Sequence, residues 1–89
     1  MKEVLGSYEI SQHAINEMSV RQIPFELVKE IVLKPQQIYL QDDEIEIRQS
    51  IIEFEGQGKY LVRVFVNIKK NPNLVITVYR TSKINKYWK

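Results

Sequence analysis

Ile10, Ala14 and Met18 recur every four residues, the spacing that places one buried stripe along a short helix. Ser11 stands just ahead of that stripe and suits a helix N-cap. His13, Glu17 and Arg21 form the neighbouring column, with Glu17 four residues before Arg21, the favourable order for a helical ion pair. Pro24 then suits the first position of a second helix, and Glu26 falls near its positive end. Leu27, Val28, Ile31 and Val32 make the apolar stripe of that helix, and Lys34-Pro35 ends it. The pattern predicts an αα hairpin.

Beyond Pro35 the period changes from helical to strand-like. Residues 37–41 are β-prone, Asp42-Asp43 offers a turn, and residues 44–54 run as a long Ile-rich strand. Glu55-Gly56-Gln57-Gly58 turns into a strand over residues 59–68, and Lys69-Lys70-Asn71-Pro72-Asn73 turns into another over residues 74–81. Short connections imply antiparallel neighbours. Residues 8–11 read as a short strand or lead-in, and residues 82–89 either fray or pack through Tyr87 and Trp88 on the sheet. The expected architecture is α+β: two N-terminal helices packed on a three- to four-stranded antiparallel sheet, in one domain over residues 1–89.

Alternation assigns faces to these strands. Ile45, Ile47 and Ile51 oppose Glu46, Arg48, Ser50, Ile52 and Phe54, while Tyr60, Val62, Val64 and Val66 oppose Leu61, Arg63 and Phe65. In the last strand Leu74, Ile76 and Val78 oppose Val75, Thr77, Tyr79 and Thr81. One face is then almost purely aliphatic and is the expected core. The other collects Arg48, Ser50, Arg63, Thr77, Tyr79 and Thr81 as a working surface.

Charge sharpens that surface. Of the 89 residues, 1–46 hold four Lys/Arg against nine Asp/Glu, and 47–89 hold nine against two, so the halves carry −5 and +7. A basic half faces polyanions, because phosphate contacts supply most sequence-independent affinity for nucleic acid. With no cysteine there is no disulfide, thiolate nucleophile or cysteine-based zinc site, and no apolar run approaches a membrane span. A soluble cytoplasmic domain is expected, with no cofactor, no metal and no membrane partner.

Three groups can carry chemistry. His13, the only histidine, exchanges protons near neutral pH and suits general acid or base work in cleaving RNA at a 2′-hydroxyl. Arg63, with Arg48, can present a planar fork to phosphate and stabilise charge that grows in a transition state. Tyr79 can stack on a base or donate a proton, Thr77, Thr81 and Ser82 can bond phosphate, and Lys83 can neutralise it. There is no Gly-rich phosphate loop followed by Lys. Each group also has a plain structural use: a locally bonded helix histidine, cross-strand pairs with Glu46 or Glu53, and a solvated basic tail.

Ser11-Gln12-His13-Ala14, Met18, Arg21-Gln22-Ile23-Pro24, Val28 and Ile31, then Leu61-Val62-Arg63-Val64, Val75-Ile76-Thr77-Val78-Tyr79, Lys83 and Tyr87 resemble the family known as domain of unknown function 4258. That family is similar to the small ribonuclease-like toxins of RelE and BrnT type. The resemblance implies a RelE/barnase-like toxin fold and a metal-independent endoribonuclease, encoded beside an antitoxin that covers its active face. It carries roles to His13, Arg63 and Thr77 or Tyr79. The alternatives are a non-catalytic nucleic-acid- or protein-binding module using the basic sheet face, and a structural module whose edge another chain completes. Oligomeric state stays open.

Overall fold

The computed structural model describes residues 3–5 and 7–89. Helix α1 spans Gln12–Val20, and the Ser11 hydroxyl accepts the Ala14 N–H at 3.1 Å, as its N-cap position predicts. Its end is a Schellman motif: Gln22 takes the left-handed conformation (φ 55°) and its N–H bonds Ser19, while Ile23 N–H bonds Met18. Ile23 and Met18 are both buried, which supplies the apolar contact that accompanies this motif. Helix α2 spans Phe25–Leu33. Pro24 sits one place earlier than expected, at the N-cap, where its carbonyl accepts from Leu27 and Val28.

The strands are β1 (Glu3–Leu5), β2 (Tyr8–Ile10), β3 (Gln37–Leu40), β4 (Ile45–Phe54), β5 (Gly58–Asn67) and β6 (Asn73–Thr81), followed by a short helix α3 (Ile84–Tyr87). They form one six-stranded sheet in the order β1-β2-β6-β5-β4-β3. Strands β3 to β6 are the expected antiparallel meander. The sheet as a whole is larger and mixed, because β2 pairs with β6 in parallel and β1 with β2 antiparallel. The apolar edge of β6 would otherwise lack a backbone partner, and the lead-in before α1 covers it.

Helix α1 packs on β6, and α2 lies across β4 and β5. Under them Ile10, Ala14, Met18, Val28, Ile31 and Val32 meet Val62, Val64, Val66, Val75 and Val78 in a single core. Two face assignments differ from expectation. Arg48 and Ser50 pair directly with Val64 and Val62, so they share the helix-covered face and not the face of Arg63. In β6 the register shifts at Phe65/Val66: Thr77 pairs with Phe65 and Val75 with Val66, leaving Ile76 as the extra residue of a bulge. The bulge reverses alternation beyond it, so Val75 enters the core and Leu74 joins Asn67 on the other side. Ser11 ties this irregularity to α1, its N–H donating to Val75 and its hydroxyl to Ile76.

The second sheet face is also covered. Residues 82–89 do not fray; they cross it as a strap that includes α3, and Ile47, Gln49, Leu61 and Arg63 are buried there. With both faces covered, apolar character alone no longer tells which side of a strand faces the helices. Ile47 therefore lies on the opposite side from its expected place, among the residues around Arg63.

Candidate functional site

Arg63 projects from the centre of β5 into this second face and is only 5% exposed. Directly opposite on β4, Gln49 accepts from Arg63 Nε at 2.9 Å. On the other side, Tyr79 of β6 is its direct cross-strand partner and accepts from Nη1 at 2.8 Å. Nη2 donates to the Tyr39 hydroxyl on β3. Four adjacent strands thus converge on one guanidinium, which the antiparallel register brings about by aligning residues far apart in the chain.

Arg63 belongs to neither of the ion pairs found among the described residues, Arg21–Glu17 and Arg48–Glu46. Its charge is compensated instead by neutral oxygens and aromatic faces. The guanidinium carbon lies 4.2 Å from the Tyr87 ring centroid, 5.3 Å from that of Phe65 and 5.8 Å from that of Tyr79. Phe65 and Tyr79 stack on each other at 5.9 Å. A buried cation held by neutral groups retains its attraction for an anion, and the phenols that accept from it keep their own protons to donate.

The strap seals the site through the same residues. Gln49 Nε2 donates to the Tyr87 carbonyl at 3.1 Å and to Gln37 Oε1 at 2.8 Å. Gln37 in turn clasps the backbone of Lys89, donating to its carbonyl at 2.7 Å and accepting its N–H at 3.1 Å. Lys89 Nζ rests 4.8 Å from the Tyr39 ring centroid. The positive charge of Lys86 is the main cause that holds the Tyr87 phenol below its usual value of 10.0. Side-chain hydrogen bonds with Tyr79 and Lys86 and the charge of Arg63 add to it, while burial opposes them.

The expected site residues divide between the two sides of the sheet. Arg63, Tyr79, Thr77 and Thr81 share the second face, with Lys83 exposed at the start of the strap. His13 is exposed on α1, whose Ala14 and Met18 pack into the helix-side core, so the sheet stands between it and Arg63. Arg48 also lies on the helix side. There it caps the C-terminal end of α2 by donating to the Val32 carbonyl, and its Nε pairs with Glu46 at 2.7 Å. Thr81 accepts the Lys83 N–H at 3.1 Å and so shapes the turn into the strap.

Gln49, Tyr39 and Gln37, for which the sequence raised no functional expectation, complete the site together with Tyr87, which was expected to pack on the sheet. Gln49 did leave a signal: it is the one polar residue in the alternating series Ile45, Ile47, Gln49, Ile51. A polar side chain in that position needs a buried partner. Among the described residues no three His, Cys, Asp or Glu side chains gather to hold a metal ion, and no helix is long and apolar enough to cross a membrane.

Fold and site together define an α+β domain that keeps an arginine–tyrosine cluster on the sheet face away from its helices. The chain belongs to the family described as Domain of unknown function (DUF4258), whose model matches residues 10–80. No curated protein and no solved structure matches it.

Proposed function

We propose that this domain is a toxin-like endoribonuclease of RelE/BrnT type that binds RNA at Arg63 and cleaves it without a metal ion. The observation that carries the reading is Arg63 itself: a buried guanidinium with neutral partners, bonded to two tyrosine hydroxyls on a face flanked by Lys83, Lys86 and Lys89. A phosphodiester supplies the anion that this cation lacks. In the reaction a ribose 2′-oxygen bonds to the adjacent phosphorus and the bond from phosphorus to the 5′-oxygen breaks. The 2′-proton passes to water, Tyr79 gives its proton to the departing 5′-oxygen, and Arg63 offsets the charge that builds on the phosphoryl oxygens. The products are a 2′,3′-cyclic phosphate and a 5′-hydroxyl. His13 has no part in this chemistry. A partner encoded beside the chain, an antitoxin, would silence it by covering the Arg63 face.

A second reading, non-catalytic RNA binding, is favoured by the separation of His13 from Arg63, which leaves phenols as the proton-transfer groups there. One experiment decides between them: incubation of purified protein with an end-labelled single-stranded RNA in excess chelator. Cleavage is expected, ending in cyclic phosphates, with Tyr79→Phe slower by about a hundredfold or more and His13→Ala unchanged. Salt-sensitive binding without fragments selects the second reading. Neither binding nor cleavage removes both.

A further inference from the structure

Helix α3 has no buried residue of its own. The strap is held down by the groups that form the site: Arg63 under the Tyr87 ring, Gln49 on the Tyr87 carbonyl, and Gln37 on both backbone groups of Lys89. None of these fixings is an apolar anchor in the core. Tyr87 lays a flat ring 4.2 Å from a guanidinium, which is how an unpaired base stacks on arginine. Lys86 Nζ, 5.4 Å from the same ring centroid, and Lys89 place further positive charge along the strap.

We infer that the strap is a built-in competitor, and that the Arg63 site takes single-stranded RNA by exchanging the Tyr87 ring for an unpaired base. The inference rests on the reading of this face as an RNA site and names the form of RNA it accepts. In the closed state Arg63 is reached by neither phosphate nor base. Release of Tyr87 frees the stacking face of the guanidinium and one N–H of Gln49 together. A base then stacks where the ring lay, and its phosphate meets the charge. Duplex RNA has no free base face to offer, so it cannot complete the exchange. The apparent affinity is reduced by the fraction of molecules that are closed, and loosening the strap raises it.

Trp88, the only tryptophan, lies on the strap and is 37% exposed, so its accessibility to acrylamide reports strap position. Gln37→Ala removes the clasp on Lys89, and Tyr87→Ala removes the ring. In the full-length protein each variant is expected to expose Trp88 without RNA and to bind a single-stranded oligoribonucleotide about fivefold or more tighter. In the wild type, saturating oligoribonucleotide should raise Trp88 accessibility, and the same sequence annealed to its complement should not. If Trp88 is exposed in both variants while their affinity equals that of the wild type, the inference is overturned. Equal strap release by duplex also overturns it. RNA binding with an unmoved Trp88 overturns it while leaving the RNA reading intact, whereas no RNA binding by wild type or variants removes both.

Discussion

Arg63 and Gln49 stand directly opposite each other on β5 and β4, and the guanidinium Nε donates to the amide oxygen across 2.9 Å. Gln49 is fully buried, and its NH2 group bonds Gln37 and the Tyr87 backbone. The pair therefore links the meander to the strap. Deleting either side chain strands the other's polar groups out of contact with water.

The expected result is a coupled loss of stability. Gln49→Leu should cost about 1–3 kcal/mol through the unpaired Arg63 Nε, and Arg63→Leu about 2–4 kcal/mol. The double variant should lose less than the sum by about 1 kcal/mol or more, as contacting residues do. Denaturant unfolding of the four proteins checks this, and strict additivity would contradict the linkage.

The bulge in β6 makes a sharper test of the fold. Val75→Ala should cost about 1–3 kcal/mol, because Val75 is fully buried beneath α1, while Leu74→Ala should cost less than about 1 kcal/mol. Simple alternation ranks the two the other way. Helix stripes, Ser11 as cap and an antiparallel meander of three or four strands were legible, since each depends on local periodicity and capping chemistry; the mixed six-stranded sheet was not. The bulge was not, because no residue at Ile76 announces an inserted position. The placement of Arg48 failed for a related reason: a strand covered on both sides carries apolar residues on both. Arg63 and Tyr79 were legible as polar side chains on one face. Their partners Tyr39 and Tyr87 come together only through strand order and the returning tail.

Acid should act on the turn before β4. Asp42 accepts the backbone N–H groups of Glu44 and Ile45 at 2.8 Å each, the first being the larger cause that holds its carboxyl below the usual 3.8. A depressed folded value means that the carboxylate's contribution is complete above 3.8 and lost as pH falls through the folded value. The difference in Tm between wild type and Asp42→Ala should stay level from neutral pH down to about 3.8 and narrow below it. A difference that persists unchanged in stronger acid would count against the carboxylate cap.

Gln22 ends α1 in a conformation that glycine adopts without strain. Gln22→Gly keeps the backbone bonds of the Schellman motif and relieves the left-handed side chain, so it should stabilise the domain by about 0.5–1 kcal/mol. Gln22→Val should destabilise it, since β-branching resists positive φ. Thermal melts of the pair test the assignment of this turn.

The Tyr87 phenol links pH to the strap. Its folded value lies below 10.0, chiefly through Lys86, so the folded, strapped state gains stability as pH rises through that value and holds the full gain above 10.0. The phenolate would also repel an incoming phosphate. RNA affinity is therefore expected to fall as pH rises toward 10.0 in the wild type. In Tyr87→Phe, which keeps the ring over Arg63 and lacks the ionising group, that part of the fall should be absent. Lys86→Gln should move the phenol back toward 10.0, seen directly as a later onset of phenolate absorbance. Identical pH profiles for wild type and Tyr87→Phe would separate Tyr87 from control of the site.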